Sequence, residues 1–192
     1  MGSLFERYEA EDVRDLVADY PLAWVTTPGG APASLLPLLG EYDAQGRLVS
    51  LLGHMARRNP LHAKLAAGGE AYIHFTGPHA YISPTHAGVR DWGPTWNYAR
   101  LSIRVEIVFH PEENDHALAT LVKAMEGDRW SIQDLGGRYE QLASAIIAFR
   151  AQVREFSAIF KLGQDERPEV FASIIDAHPD QALVSWMKRF RR

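Results

Sequence analysis

Residues 32–54 read PASLLPLLGEYDAQGRLVSLLGH, and the reading of this stretch decides the fold. Two apolar runs flank Asp43-Ala44-Gln45-Gly46, whose aspartate and glycine suit a tight antiparallel connection. The pattern predicts a hairpin within a meander. Upstream, LAWVTT (22–27) is rich in strand formers, PGG (28–30) supplies a turn, and Asp12 is placed to cap a helix running to about Asp19. Downstream, Asn59 before Pro60 is an N-cap followed by a favoured first helical residue, and Gly68-Gly69 is positioned to end the helix LHAKLAA.

Further strands are predicted at EAYIHFT (70–76) and AYIS (80–83), followed by a long loop, SPTHAGVRDWGP (83–94), with two prolines and two glycines. In WNYARLSIRVEIVF (96–109), Leu101, Ile103, Val105 and Ile107 alternate with Ser102, Arg104, Glu106 and Val108, the period of a strand with one buried face. Helices are expected from His110–Asp115 through LATLVKAM and over YEQLASAII (139–147). A last strand, in which Phe149, Ala151 and Val153 alternate with Arg150, Gln152 and Arg154, should end near Lys161-Leu162, with helices after Pro168 and Pro179. Six or so antiparallel strands with inserted and appended helices predict a mainly β, α+β domain built on a small closed barrel. It should span residues 1–192, with a helical appendage from about 166 to 192.

Composition narrows the function. The chain has 192 residues, 46% of them hydrophobic, and a net charge of −4, so it has material for a core and no global attraction to nucleic acid or anionic lipid. It contains no cysteine, which excludes disulfides, thiolate metal sites and a cysteine nucleophile. The acidic start MGSLFERYEAEDVRD does not read as a signal peptide and no run approaches ~18 apolar residues, so a cytoplasmic protein with no membrane partner is expected. No GxGxxG, Walker A, GxSxG or HExxH pattern is present.

The residues with chemical content are few. Gly53-His54-Met55-Ala56-Arg57-Arg58-Asn59-Pro60 joins a predicted strand end to a helix start beside two guanidinium groups, a combination suited to phosphate. The bland alternative is that Arg57 and Arg58 are solvated surface residues. His54, His62, His74, His79 and His86 fall close together but lack ligand spacing, so no metal is expected. Tyr72, Tyr81, Trp92, Trp96 and Tyr98 could form a platform for a planar ring or serve as ordinary packing. Lys188, Arg189, Arg191 and Arg192 close a helix pair that also carries Glu169, Asp176 and Asp180, which does not support direct DNA binding.

The succession PLAWVTT (21–27), LPLL (36–39), GHMARRNP (53–60), FTGPHAYISP (75–84), PTWNY (94–98) and FKLGQ (160–164) resembles the PaiB family of FMN-binding split-barrel proteins, labelled negative transcriptional regulators. The resemblance implies a split β-barrel related to pyridoxamine-phosphate-oxidase-like flavoproteins, a homodimer, and FMN sites near the subunit interface. It assigns Gly53, His54, Arg57 and Asn59, with Arg58 adjacent, to the FMN phosphate region and Leu36, Pro37 and Leu38 to positions beside the flavin. Lys161 and Gln164 are assigned to polar groups of its ring or ribityl chain, and Trp96 of PTWNY joins the cofactor-binding candidates. Two stretches depart from the pattern: Thr85-His86-Ala87 follows Ser83-Pro84, and Gly163 and Asp165 replace a serine and an asparagine. What the resemblance implies is a redox- or ligand-responsive regulator, the alternative being a flavin-dependent oxidoreductase acting on a small molecule with NAD(P)H. Haem is an alternative ligand on related barrels, and no residue is assigned a catalytic role.

Overall fold

Alternating burial builds the sheet. In the strand Thr95–Phe109, Ala99, Leu101, Ile103, Val105 and Ile107 are at most 4% exposed, while the residues between them face outward. The computed structural model describes residues 3–191. Its elements are α1 (Ala10–Asp19), β1 (Leu22–Thr26), β2 (Ala33–Tyr42), β3 (Leu48–Ala56), α2 (Pro60–Ala66), β4 (Glu70–Ile82), α3 (Pro84–Ala87), β5 (Thr95–Phe109), α4 (Asn114–Glu126), α5 (Tyr139–Ser144), β6 (Ile146–Lys161), α6 (Pro168–Ala177) and α7 (Gln181–Arg189). The strands close a barrel in the order β1-β2-β3-β6-β5-β4. The predicted closed barrel with helical additions is what forms. Among the described residues no helix is long and apolar enough to cross a membrane.

The β2–β3 hairpin forms as its sequence predicts. Leu38 lies opposite Gly53 and Leu39 opposite Leu52. In the connection Gly46 takes φ 75°, a conformation glycine adopts without steric penalty. Asp43 Oδ1 accepts the N–H groups of Gln45 and Arg47, both at 2.9 Å.

Several local expectations need correction. Asp12 does not cap α1: the helix begins at Ala10, and Asp12 sits in its first turn, 1% exposed. The two strands expected at 70–76 and 80–83 are one strand, in which Gly77 and Pro78 are buried. The expected loop after Ser83 begins with the short helix α3, because Ser83 Oγ accepts the Thr85 N–H at 3.2 Å and Gly88, at φ 68°, terminates the turn. Helix α5 stops at Ser144, and Ile146 and Ile147, expected on a helix, open β6. Helix α2 ends at Ala66 and is capped by Ala67 in ordinary right-handed geometry, so Gly68-Gly69 does not form its cap. Gly69 is needed for another reason, since a Cβ there would lie 2.5 Å from the Ile107 carbonyl oxygen.

The chain resolves into two compact units. One comprises Ala10–Phe75 and Ser102–Phe156. Its core includes Leu16, Val25, Leu38, Leu51, Met55, Ile73, Ile103 and Phe149, each at most 1% exposed. The β5–β6 connection is tethered here by Asn114, whose Oδ1 accepts the Ala148 N–H at 2.8 Å and whose Nδ2 donates to the Ile146 carbonyl at 3.2 Å. Arg150 adds a second tether, donating to Glu113 at 3.0 Å through Nε and to Glu41 through Nη1.

The other unit comprises the described residues through Glu9, Thr76–Leu101 and the chain from Ser157 onward. The C-terminal helices are therefore built into a unit with earlier segments. Phe160, Trp186 and Phe190 stack with ring planes 7° to 17° apart, and Ser173 on α6 donates to the His86 carbonyl of α3 at 2.8 Å.

Candidate functional site

The first group of candidates lies where β3 runs into α2. Gly53 is buried, and a Cβ on it would meet Leu38 Cδ2 at 2.5 Å and Phe149 Cζ at 2.8 Å. Glycine is required there by barrel packing. Leu36 and Leu38 also turn inward, at 8% and 0% exposure, so neither side chain is available to a surface ligand, while Pro37 is partly exposed. His54 is partly buried, and this desolvation holds its pKa below the ordinary histidine value, favouring the neutral ring.

The amides at the start of α2 do not play the part their position suggests. Four N–H positions at a helix start ordinarily lack intrahelical partners. Here the Asn59 N–H donates to the Ala56 carbonyl at 2.8 Å and Pro60 has none. The Leu61 N–H donates to Asn59 Oδ1 at 3.0 Å, and the His62 N–H to the Asn59 carbonyl at 2.9 Å. Asn59 Nδ2 is engaged as well, donating to Ser34 Oγ at 3.1 Å. Every amide of that first turn is thus accounted for. The capacity to bind an anion falls to Arg57 and Arg58, both exposed. Arg57 Nε donates to the Ser144 carbonyl at 3.1 Å, a bond that leaves its two terminal nitrogens uncommitted to that carbonyl. Arg58 has no ion-pair partner among the described residues.

The second group lies in the other unit. Lys161 Nζ donates to Thr95 Oγ1 and, at 3.0 Å, to the Trp96 carbonyl. Trp96 is 55% exposed, and its ring meets Tyr81 edge to face, with centroids 6.0 Å apart. Gln164 is occupied at both ends of its amide: Oε1 accepts the Leu162 N–H at 2.7 Å and Nε2 donates to the Phe160 carbonyl at 2.5 Å. It therefore closes the turn that ends β6. Gly163, within that turn, takes φ 81°, and Asp165 is exposed. Arg191 clamps the same turn, donating to the carbonyls of Gly163 at 3.3 Å, Gln164 at 3.1 Å and Glu166 at 2.8 Å.

Four further candidates, His62, His74, His79 and Trp92, have ordinary partners. His74 Nδ1 bonds Ser102 Oγ at 3.0 Å, and the Nδ1–H groups of His79 and His62 donate to the carbonyls of Gly77 and Arg57 at 2.9 and 3.0 Å. Trp92 Nε1 donates to Glu166 at 3.1 Å. A group outside the expected set is His110, Glu112 and Glu113, whose ligand-capable atoms lie within 4.8 Å of one another. Glu113 is already paired with Arg150 at 2.9 Å and His110 with Glu112 at 2.9 Å. Ser34, Thr95 and Ser144, which hold Asn59, Lys161 and Arg57, carry no sequence signal, since their partners are distant in the chain.

Residues 2–155 match the family described as "Putative FMN-binding domain". The chain is 26% identical over 181 residues to the protease synthase and sporulation protein PAI 2 of Bacillus subtilis strain 168, covering 90% of this chain and 85% of that protein. In three dimensions it is similar to the FAD and heme binding protein of Mycobacterium smegmatis, with TM-score 0.59 and 16% identity over 81% of this chain and 72% of that one. It is also similar to the flavocytochrome Anf3 of Azotobacter vinelandii, with TM-score 0.60 and 15% identity over 80% of this chain and 68% of that one. At these identities the structural likenesses establish the barrel.

Proposed function

Since the chain belongs to the PaiB family of FMN-binding split-barrel proteins, we propose that it is a flavin-dependent, redox- or ligand-responsive regulator that anchors the FMN phosphate on Arg57 and Arg58. One observation carries the choice of anchor: at the β3–α2 corner the first-turn amides are all engaged, while the consecutive residues Arg57 and Arg58 are both exposed. Guanidinium matches phosphate oxygens in pairs and holds its charge at any physiological pH. Asn59 and Gly53 support the corner structurally, through the cap and through packing. When bound, FMN supplies a ring that accepts electrons.

Titration with FMN, followed by quenching of flavin fluorescence, tests this reading. Saturable binding is expected, weakened about 10- to 100-fold by removal of each arginine head group, since hydrogen bonds to charged groups are worth ~1.5–3 kcal/mol. No binding at ~100 μM FMN, or full affinity in the folded Arg57→Ala/Arg58→Ala protein, overturns it.

A homodimer is part of the same reading. On the outer face of the β1–β2 pair, Leu22 lies opposite Pro37 and Trp24 opposite Leu35, with Leu22, Trp24 and Leu35 exposed by 54%, 47% and 46%. A contiguous apolar face of this kind is suited to covering by a second copy. Light scattering on the eluted protein should give twice the chain mass, and Trp24→Glu should shift it toward the monomer. A monomeric wild type would count against the assignment.

A further inference from the structure

The helical connection between β5 and β6 contains a cleft that none of the flavin candidates enters. Its volume is about 430 Å³ and its walls are Asp115, Ala119, Ile132, Gln133, Gly136 and Tyr139. Small-molecule sites commonly enclose ~300–1,000 Å³. The chemistry of these walls is one-sided. Asp115 is the single charged residue among them. The Tyr139 hydroxyl donates to Asp115 Oδ1, which commits the phenolic hydrogen to the carboxylate and leaves oxygen lone pairs as what the phenol still offers. That bond pushes the Tyr139 pKa up to about 12, so the phenol stays protonated at physiological pH. Asp115 keeps its second oxygen, and Gln133 adds a side-chain amide, with a carbonyl acceptor and an NH2 donor group. Acceptors thus predominate around a negative charge, against the apolar carbons of Ala119 and Ile132, and Gly136, at φ 53°, contributes no side chain.

We propose that this cleft binds an organic ammonium ion, a primary amine on a short apolar arm whose N–H groups meet Asp115 and the Tyr139 oxygen. An ammonium brings three donors to a site with surplus acceptors, and its arm covers the alanine and isoleucine. An anion meets the like charge of Asp115, and a neutral alcohol brings one donor where an ammonium brings three. Flavin occupancy has no part in this assignment. The cleft also has a built-in reporter. A neighbouring hollow of about 270 Å³ shares Ala119, Ile132 and Gln133 with it and includes Trp130, which is 37% exposed.

Phenethylammonium is titrated into the full-length protein, with and without FMN. Binding is read by calorimetry and by the Trp130 component of the fluorescence, isolated against Trp130→Phe. One saturable site is expected, with 2-phenylethanol and 3-phenylpropionate binding at least ~10-fold more weakly and Asp115→Asn reducing ammonium affinity by at least ~10-fold. Ala119→Leu, which narrows the cleft with three added carbons and leaves the carboxylate in place, should weaken binding at least ~10-fold. Equal affinity for the alcohol, full affinity in folded Asp115→Asn, or no saturation below ~10 mM overturns the proposal. Should Asp115→Asn fail to fold by circular dichroism, Ala119→Leu decides: unchanged ammonium affinity in that folded variant overturns it equally.

Discussion

Replacing Gly163 by serine, the residue that the PaiB pattern carries at this position, should weaken the fold. Gly163 takes φ 81° at the end of β6. An L-residue in the left-handed region costs about 1–2 kcal/mol relative to its ordinary conformations. A Cβ there would stand 3.3 Å from Met187 Cε, 3.4 Å from Asn97 Nδ2 and 3.5 Å from Phe171 Cδ2. The methionine end can shift, so crowding adds a few tenths of a kcal/mol. The reduced freedom of serine in the unfolded chain offsets about 0.4–1 kcal/mol. The net expectation is a loss of about 1 kcal/mol, or a fall of ~2–4 °C in Tm for a chain of this size. Urea unfolding followed by circular dichroism reads the effect as a lower midpoint. An unchanged or raised midpoint would show that the backbone at this turn does not require glycine, and the reasoning would fail.

Other outcomes follow from the β3–α2 corner. Asn59→Ala removes the acceptor for the Leu61 N–H and the donor to Ser34, so it should lower stability by ~1 kcal/mol in urea; a neutral result would mean the cap is replaced by water. His54 has a folded pKa below its ordinary value of 6.5 because burial disfavours the charged ring. In the window between that lowered value and about 6.5 the unfolded chain binds more protons than the folded one, so stability should rise with pH there and level off above it. His54→Gln should flatten this part of the profile when urea midpoints are compared between about pH 5 and 8; parallel profiles for the two proteins would contradict the assignment.

The barrel was legible because most of its strands carry their own period. Leu101 to Ile107 alternate cleanly, and Asp43 to Gly46 mark a turn by chemistry that acts within a few residues. The errors came where a local signal was outvoted. Gly77 and Pro78 read as a break, yet tertiary pairing carries β4 straight through them. Ser83 supplies a cap that outweighs the glycines and prolines after it. At the candidate site the arginines were visible as residue types, but the satisfaction of the α2 amides was not, because it depends on Asn59 adopting φ −64° and ψ 129° and turning its side chain back on the helix. Gln164 and Gly53 match a family pattern at positions whose visible work is architectural, closing a turn and admitting Leu38 and Phe149. That distinction needs coordinates, since a motif records which residue stands at a position and not which of its atoms are already engaged.

Within residues 111–145, Ala117 is the one buried residue, and Asn114 and the Glu41–Arg150–Glu113 bridge tie the segment to the strands. So little burial means that this segment can open at small free-energy expense while the β-strands remain closed, and its amides should exchange with deuterium well before those of the barrel. Gly136-Gly137, both exposed, is accordingly the place to splice in a reporter peptide or a protease recognition sequence with the rest of the molecule left folded.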